Sequence, residues 1–188
     1  MRQKILLTGT CWYELTGLWH LLSALGHDVR HVSLEHTCAG EDLDLMIVAL
    51  SAEPVVGWGR HLHRIRELRA TTPGKMLVLV PERLEMLKVL RNICPVYNGS
   101  MPLSGLARMI LNRKVIRAGE FRLTPGQRRA LKSLYEREIN HPPKQCERGL
   151  YWHYARLAEN VGVRDFRMLL MTGLDREVYK MEDQLYEQ

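Results

Sequence analysis

Long apolar runs, paired cysteines and glycine-rich phosphate loops are missing from this 188-residue sequence, and each absence removes a class of function. The longest apolar runs reach only about eight residues, too few to cross a membrane. The start, MRQKILLTGT, is basic but lacks a sustained apolar region or a small-residue cleavage site, so no signal peptide is expected. Cys11, Cys38, Cys94 and Cys146 stand apart, without the spacing of zinc or redox motifs. Reduced thiols in a cytoplasmic protein are the expectation. Neither G-x-G-x-x-G nor G-x-x-x-x-G-K-[ST] occurs, so a dinucleotide or phosphate cradle is unsupported. Ser51 lacks the G-x-S-x-G elbow of a nucleophile. His27 and His31 fall on one strand pattern, and His61 and His63 sit two apart on a helical one. A metal needs three or four convergent ligands, so these read as surface histidines. No enzyme activity, metal or cofactor is expected.

What is present reads as a globular chain. Hydrophobic residues make up 46% and charged residues 26%, with a formal net charge of +6 that tilts toward an acidic partner such as nucleic acid. KILLTG (4–9) is a short apolar run, followed by a helical pattern through Leu15, Leu18, Leu21, Leu22 and Leu25 that Gly26 stops. HDVRHVSL (27–34) alternates and suits a strand with one covered face. LDLMIVAL (43–50) is continuous and suits a central strand covered on both sides. A helix over Trp58–Arg69, a turn at Pro73-Gly74, the strand KMLVLV (75–80), a helix over 83–92, a strand over Pro95–Tyr97 and a helix over 103–112 follow. Strands alternating with helices predict α/β architecture with a doubly wound, five-stranded parallel sheet.

RKVIRAGEFR (113–122) breaks the alternation with charge and a glycine, and marks a linker between a domain at 1–112 and one at 123–188. Beyond it every pattern is helical. Thr124 before Pro125 supplies a cap and a first-turn proline. Pro142-Pro143 interrupts, and RGLYWHYARLAENV (148–161) then forms the most unusual helix of the chain. At 100° per residue, Leu150, Tyr154, Leu157 and Val161 share one narrow stripe, while Arg148, Trp152, Arg156 and Glu159 lie opposite. A tryptophan on the polar face is not needed for a core. A short helix after Gly162 precedes the tail 174–188, where Leu174, Val178, Met181 and Leu185 share a face that docks either on the protein itself or on a second subunit.

Leu123-Thr124-Pro125 with Leu131 and Leu134, then Leu150 and His153, then Val161-Gly162-Val163-Arg164, resemble the L-T-P opening, recognition-helix start and closing turn of LuxR/NarL-type response regulators. Among these the chain is similar to the auxiliary regulators that work with the response regulator RcsB. The resemblance implies a receiver-like domain followed by a small all-α helix-turn-helix domain. It also implies double-stranded DNA as a partner, and a homodimer or a heterodimer with a response regulator such as RcsB. A phosphorylated receiver holds acids after the first strand, an aspartate ending the third and a lysine after the fifth. Here those places hold Thr8–Thr10, Ala49 and Ser100. An alanine methyl accepts no phosphoryl group, so the resemblance implies a pseudo-receiver with Ala49 as the degenerate phosphoacceptor position. Pro142-Pro143 falls where the family has its scaffold helix, and proline blocks a helix interior. The turn before the recognition helix is therefore remodelled.

The DNA-contacting set that follows is Arg128, Arg129, Lys144, Arg148, Tyr151, Trp152, His153 and Arg156. In a helix-turn-helix the second helix enters the major groove while neighbouring segments hold phosphates. Arg148 and Arg156 would then meet base edges or phosphates, and Arg128, Arg129 and Lys144 phosphates. A solvated face for Arg128 and Arg129, and simple stacking of Trp152 on its arginine neighbours, are the plain alternatives. The competing function is a protein-binding regulator whose partner makes the DNA contacts, with Trp152 and the tail as the binding surface.

Overall fold

The segment Leu45–Ala49 is buried at every residue, while Asp28–Ser33 only alternates between partial burial and exposure. The contrast follows from position in the sheet. In the computed structural model, which describes residues 2–37, 43–111, 121–140 and 148–184, five parallel strands lie in the order β2-β1-β3-β4-β5. They are β1 (Lys4–Gly9), β2 (Asp28–Ser33), β3 (Leu45–Ala49), β4 (Lys75–Val80) and β5 (Val96–Asn98). β3 is central and covered on both faces; β2 is an edge. Register runs Ile5 beside Leu45 and Gly9 beside Ala49, so β1 and β3 end together. The five-stranded parallel sheet is the one expected from the alternating pattern.

Successive residues of a strand point to opposite faces, and the core divides accordingly. Ile5, Leu7, Ile47, Leu77 and Leu79 face α1 (Trp12–Ala24) and α4 (Leu103–Leu111), meeting Leu15, Leu18, Leu22, Leu106 and Ile110. Leu6, Met46, Val48, Met76 and Val78 face the other side, where α2 (Arg60–Thr71) supplies Leu62, Ile65 and Leu68. Trp58 is wholly buried there, with its indole nitrogen donating to the Leu50 carbonyl at 3.4 Å. The helix expected over 83–92 is broken: a 3-10 turn at Glu82–Leu84 and the one-turn helix α3 (Lys88–Arg91) replace it.

Four helices follow: α5 (Pro125–Asn140), α6 (Arg148–Val161), α7 (Phe166–Thr172) and α8 (Leu174–Gln184). α5 starts as its sequence indicates. The Gln127 amide N–H donates to the Thr124 hydroxyl at 3.3 Å, and the Thr124 N–H donates to the Gln127 side chain at 2.9 Å, a reciprocal cap. Asp165 caps α7 by accepting from the Met168 N–H at 2.8 Å. Leu123, Leu131, Leu157, Val161, Met168, Leu169, Leu174 and Val178 join the same apolar cluster as Trp58 and Leu62. The tail helix thus docks on the protein itself, through Leu174 and Val178, with Met181 half-buried beside them; Leu185 lies outside the described residues.

Besides this shared apolar cluster, the sheet unit and these helices meet backbone on backbone. The Gly57 and Gly59 N–H groups donate to the Met171 and Thr172 carbonyls at 2.9 and 2.7 Å. A Cβ on Gly59 would lie 2.8 Å from the Leu174 nitrogen. Gly162 has φ +94°, and a Cβ there would lie 2.2 Å from the Met86 carbonyl oxygen. Only glycine meets both demands. Among the described residues, no helix is long and apolar enough to cross a membrane.

Candidate nucleic-acid interface

Ligands of open α/β sheets bind beyond the carboxyl ends of the strands, so that edge is the first place to look. Ala49 ends β3, fully buried, and offers only a methyl at the carboxyl edge of the sheet. Gly9 is pressed against it; a Cβ on Gly9 would stand 2.3 Å from the Ala49 carbonyl oxygen. The loop that follows β3 is held from α1. The Glu14 carboxylate accepts from the Ser51 hydroxyl at 2.5 Å, from the Ser51 N–H at 3.2 Å and from the Ala52 N–H at 3.2 Å. An anion from within the chain therefore occupies the amides that this loop offers. Ser100, after β5, donates its N–H to the Asn98 side chain.

Glu53 forms a second cluster at the same edge. Its carboxylate accepts from the Thr10 hydroxyl at 2.5 Å, Arg60 at 2.7 Å and His61 at 3.2 Å. Burial pushes the Glu53 acid up, but the hydrogen bonds from Thr10, Arg60 and His61 outweigh it and hold the group below its ordinary value. Burial pulls His61 below the ordinary imidazole value despite the neighbouring carboxylate. The expectation of surface histidines is corrected here. His27 and His61 are both buried, His61 in a T-shaped contact with Trp58. Arginine and glutamate at Arg60 and Glu53 make an interior position tolerable for a polar ring. Among the described residues no group of three His, Cys, Asp or Glu side chains converges as a metal would need.

Glu14, in the first turn of α1, belongs to no motif and so is absent from the residues expected from the sequence. The sign was available: an acid in the first turn of a helix whose start flanks the loop after β3. His61 and Glu53, eight residues apart, gave no pattern to read.

On α6 the two faces separate as the 100° stepping requires. Tyr154, Leu157 and Val161 are buried, and Tyr154 stacks on Phe166 with ring centroids 4.4 Å apart. Leu150 is half-buried. On the other side Tyr151 and Trp152 are 64% and 59% exposed. The Arg156 guanidinium lies over the Trp152 ring, 5.4 Å from its centroid, and pairs with Glu159 at 2.6 Å. His153 turns inward and is half-buried; its ring fills the space beside Gly126 at the start of α5. Gln127 fixes the crossing of the two helices by donating to the Arg156 carbonyl at 3.0 Å.

The expected DNA-contacting residues therefore do not all gather on one surface. Tyr151, Trp152 and Arg156 share the outer face of α6, and His153 sits at its border with α5. Arg129 is exposed on α5, but Arg128 pairs with the mostly buried Glu182 of α8 at 2.7 Å. Arg148 opens α6, its side chain outside what the structure describes, and Lys144 lies outside the described residues.

No family model and no curated protein matches the chain. Solved structures do. The chain is similar to the two-component response regulator RcsB as solved in a DNA complex, with a TM-score of 0.55 and 14% identity over 93% of this chain and 99% of that one. A bacteriophytochrome response regulator, RtBRR, is more distant, at a TM-score of 0.44 and 15% identity over 77% of this chain and 100% of that one. At these identities the likeness is one of fold: a receiver-like sheet of order 2-1-3-4-5 followed by a helical region, as in response regulators.

Proposed function

We propose that the chain is a transcription regulator, independent of phosphorylation, that binds double-stranded DNA through the outer face of α6. In this reading residues 1–112 form a pseudo-receiver, 113–122 a basic linker and 123–188 a divergent helix-turn-helix domain. It acts as a homodimer or as a heterodimer with a response regulator such as RcsB. Auxiliary regulators of that kind, among them the regulator of Vi capsule expression TviA, are the narrower resemblance. The observation that carries the reading is the open face of α6: two large aromatic rings and an arginine stand in solvent on a helix whose opposite side packs through Tyr154, Leu157 and Val161. Rings and guanidinium groups are the side chains that meet sugars, thymine methyls and phosphates. The likeness to RcsB, solved with DNA, supports it, as does Ala49 at the end of β3 with Glu14 already seated on the following loop.

A second reading has its own support. Glu159 stands 60% exposed beside Arg156 and neutralises it, and a carboxylate on that face repels phosphates. Tyr151 and Trp152 then form a patch for a protein partner that makes the DNA contacts. Gel retardation of a promoter duplex decides between them, run at two salt concentrations, with and without a candidate response regulator, before and after acetyl phosphate with Mg²⁺. Retardation by the chain itself, unchanged by acetyl phosphate and weakened by Arg156→Ala, is the expected outcome. If Arg156 holds a phosphate, its loss reduces the salt slope by about one. Retardation that needs the partner, with partner association lost in Trp152→Ala, establishes the second reading instead.

A further inference from the structure

Helix α2 is far more basic than its packing requires. Its sequence, RHLHRIRELRAT, holds four arginines and two histidines against Glu67 alone. Most of these groups are occupied. Arg64 donates to the Leu34 and Thr37 carbonyls, Arg69 to those of Thr72 and Gly74, and Arg60 to Glu53. Arg66 is half-buried and makes no hydrogen bond or ion pair among the described residues. It lines a cleft of about 340 Å³ between α2 and α8, together with Arg60, His63 and Lys180. Leu62 and Met181 supply its apolar part, and Glu177 is its one acidic residue, paired with Lys180 at 2.8 Å.

Neither the fold nor the interface with α6 explains this charge. An arginine half-removed from water and without a partner is a ready contact for an anion. Arg66 has no partner in this recess, and His63 and Lys180 hold only solvent-facing pairs within their own helices, with Glu67 at 3.1 Å and Glu177 at 2.8 Å, which a multiply charged anion displaces at small cost, so the recess suits negative charge with more than one centre. The volume lies at the small end of ligand sites. A recess of this size suits a small anion rather than the long charged stripe that a duplex backbone needs. We propose that the cleft between α2 and α8 binds a small anion bearing two or more phosphate groups, held by Arg66 and His63 of α2 and Lys180 of α8. Arg60 completes the rim while remaining paired with Glu53. Because one wall is α2 of the sheet domain and the other is the last helix, the bound anion ties the two together. This is an effector site, separate from the exposed face of α6.

Calorimetric titration of the full chain with sodium pyrophosphate, at constant ionic strength, tests it. The expected result is saturable binding at one site per chain. Arg66→Gln and Lys180→Gln each weaken it by about tenfold or more, the scale of one charge-assisted contact. Glu177→Gln tightens it by removing the opposing carboxylate, and Arg129→Gln, exposed on α5, leaves it unchanged. Amide exchange in α8 slows when the site is filled. Absence of saturable heat overturns the proposal, as does equal weakening by Arg129→Gln, which would show diffuse screening rather than a site. A short duplex whose binding falls in Arg66→Gln and Lys180→Gln while pyrophosphate fails to bind also overturns it, and assigns the cleft to nucleic acid.

Discussion

Leu157 and Trp152 lie five residues apart on α6 and do opposite work. Leu157 is 1% exposed and meets the cluster shared with Trp58 and Leu62, so truncation leaves a cavity beneath the helix. Leu157→Ala is expected to lower stability by roughly 2–5 kcal/mol. Trp152→Ala removes only a solvent-facing ring and its contact with Arg156, and is expected to stay within about 1 kcal/mol of the parent. Urea denaturation of both variants measures the difference. A large loss of stability in Trp152→Ala would mean that the ring is structural and that the open face of α6 has no partner to find. The same division of labour holds at the sheet edge, where Ala49 contributes burial and Glu14 contributes an anion.

At the scale of elements, Gly162 ends α6 and simultaneously presses on the segment before α3. Its φ of +94° and the 2.2 Å approach of a would-be Cβ to the Met86 oxygen act together, so Gly162→Ala must both strain the backbone and open the contact. Gly26 makes the comparison clean: φ is +84°, but a Cβ there meets nothing within 4 Å. Gly26→Ala is expected to cost about 1–2 kcal/mol, the left-handed penalty alone, and Gly162→Ala clearly more. Thermal unfolding of the two variants checks the order; equal costs would mean that the contact with Met86 contributes little. These elements also mark what could be read from sequence. LMIVA announced itself as a central strand because burial on both faces leaves no polar position, and α6 declared its stripe through the 3.6-residue period. The helix expected over 83–92 was not legible. Leu84, Leu87, Val89 and Leu90 are all buried, because sheet and helical region enclose them from several sides, and burial on all sides erases the period that distinguishes helix from turn. The docking through Gly57 and Gly59 left no trace either, since backbone amides have no letter of their own. Of the candidate interface, Trp152 and Arg156 were legible as polar-face residues, whereas the Arg128–Glu182 pair joins residues 54 apart in helices whose packing no local pattern specifies.

Across the whole molecule, three titrating groups make stability depend on pH in opposing senses. Burial, the largest influence, lowers His61 below its ordinary value of 6.5, against the pull of Glu53. A group lowered on folding contributes stability above its ordinary value and loses it as pH falls through the lowered one. Glu53 is lowered as well, by hydrogen bonds that prevail over its burial, and its contribution disappears at still more acid pH, below its ordinary 4.5. Asp175 is opposite. Burial raises it, only partly offset by the hydrogen bond from Tyr135, so its contribution is present at or below its ordinary 3.8 and is lost as pH climbs through the raised value. His61 stands two residues from Gly59, where the sheet domain meets the Gly173–Leu174 backbone, and Asp175 opens α8 just beyond it. Both groups therefore act on one contact. Acidification from neutral pH to below 6.5 is expected to lower the unfolding midpoint through His61, and His61→Gln to flatten that dependence. Asp175→Asn, which is neutral at every pH and can still accept from Tyr135, is expected to raise the midpoint at neutral pH and to leave a steeper fall on acidification than the parent shows. Unfolding curves across the range test both signs. A midpoint that rises as pH drops below 6.5 in the parent, and still rises in Asp175→Asn, would show that His61 is raised on folding, its pairing with Glu53 outweighing its burial.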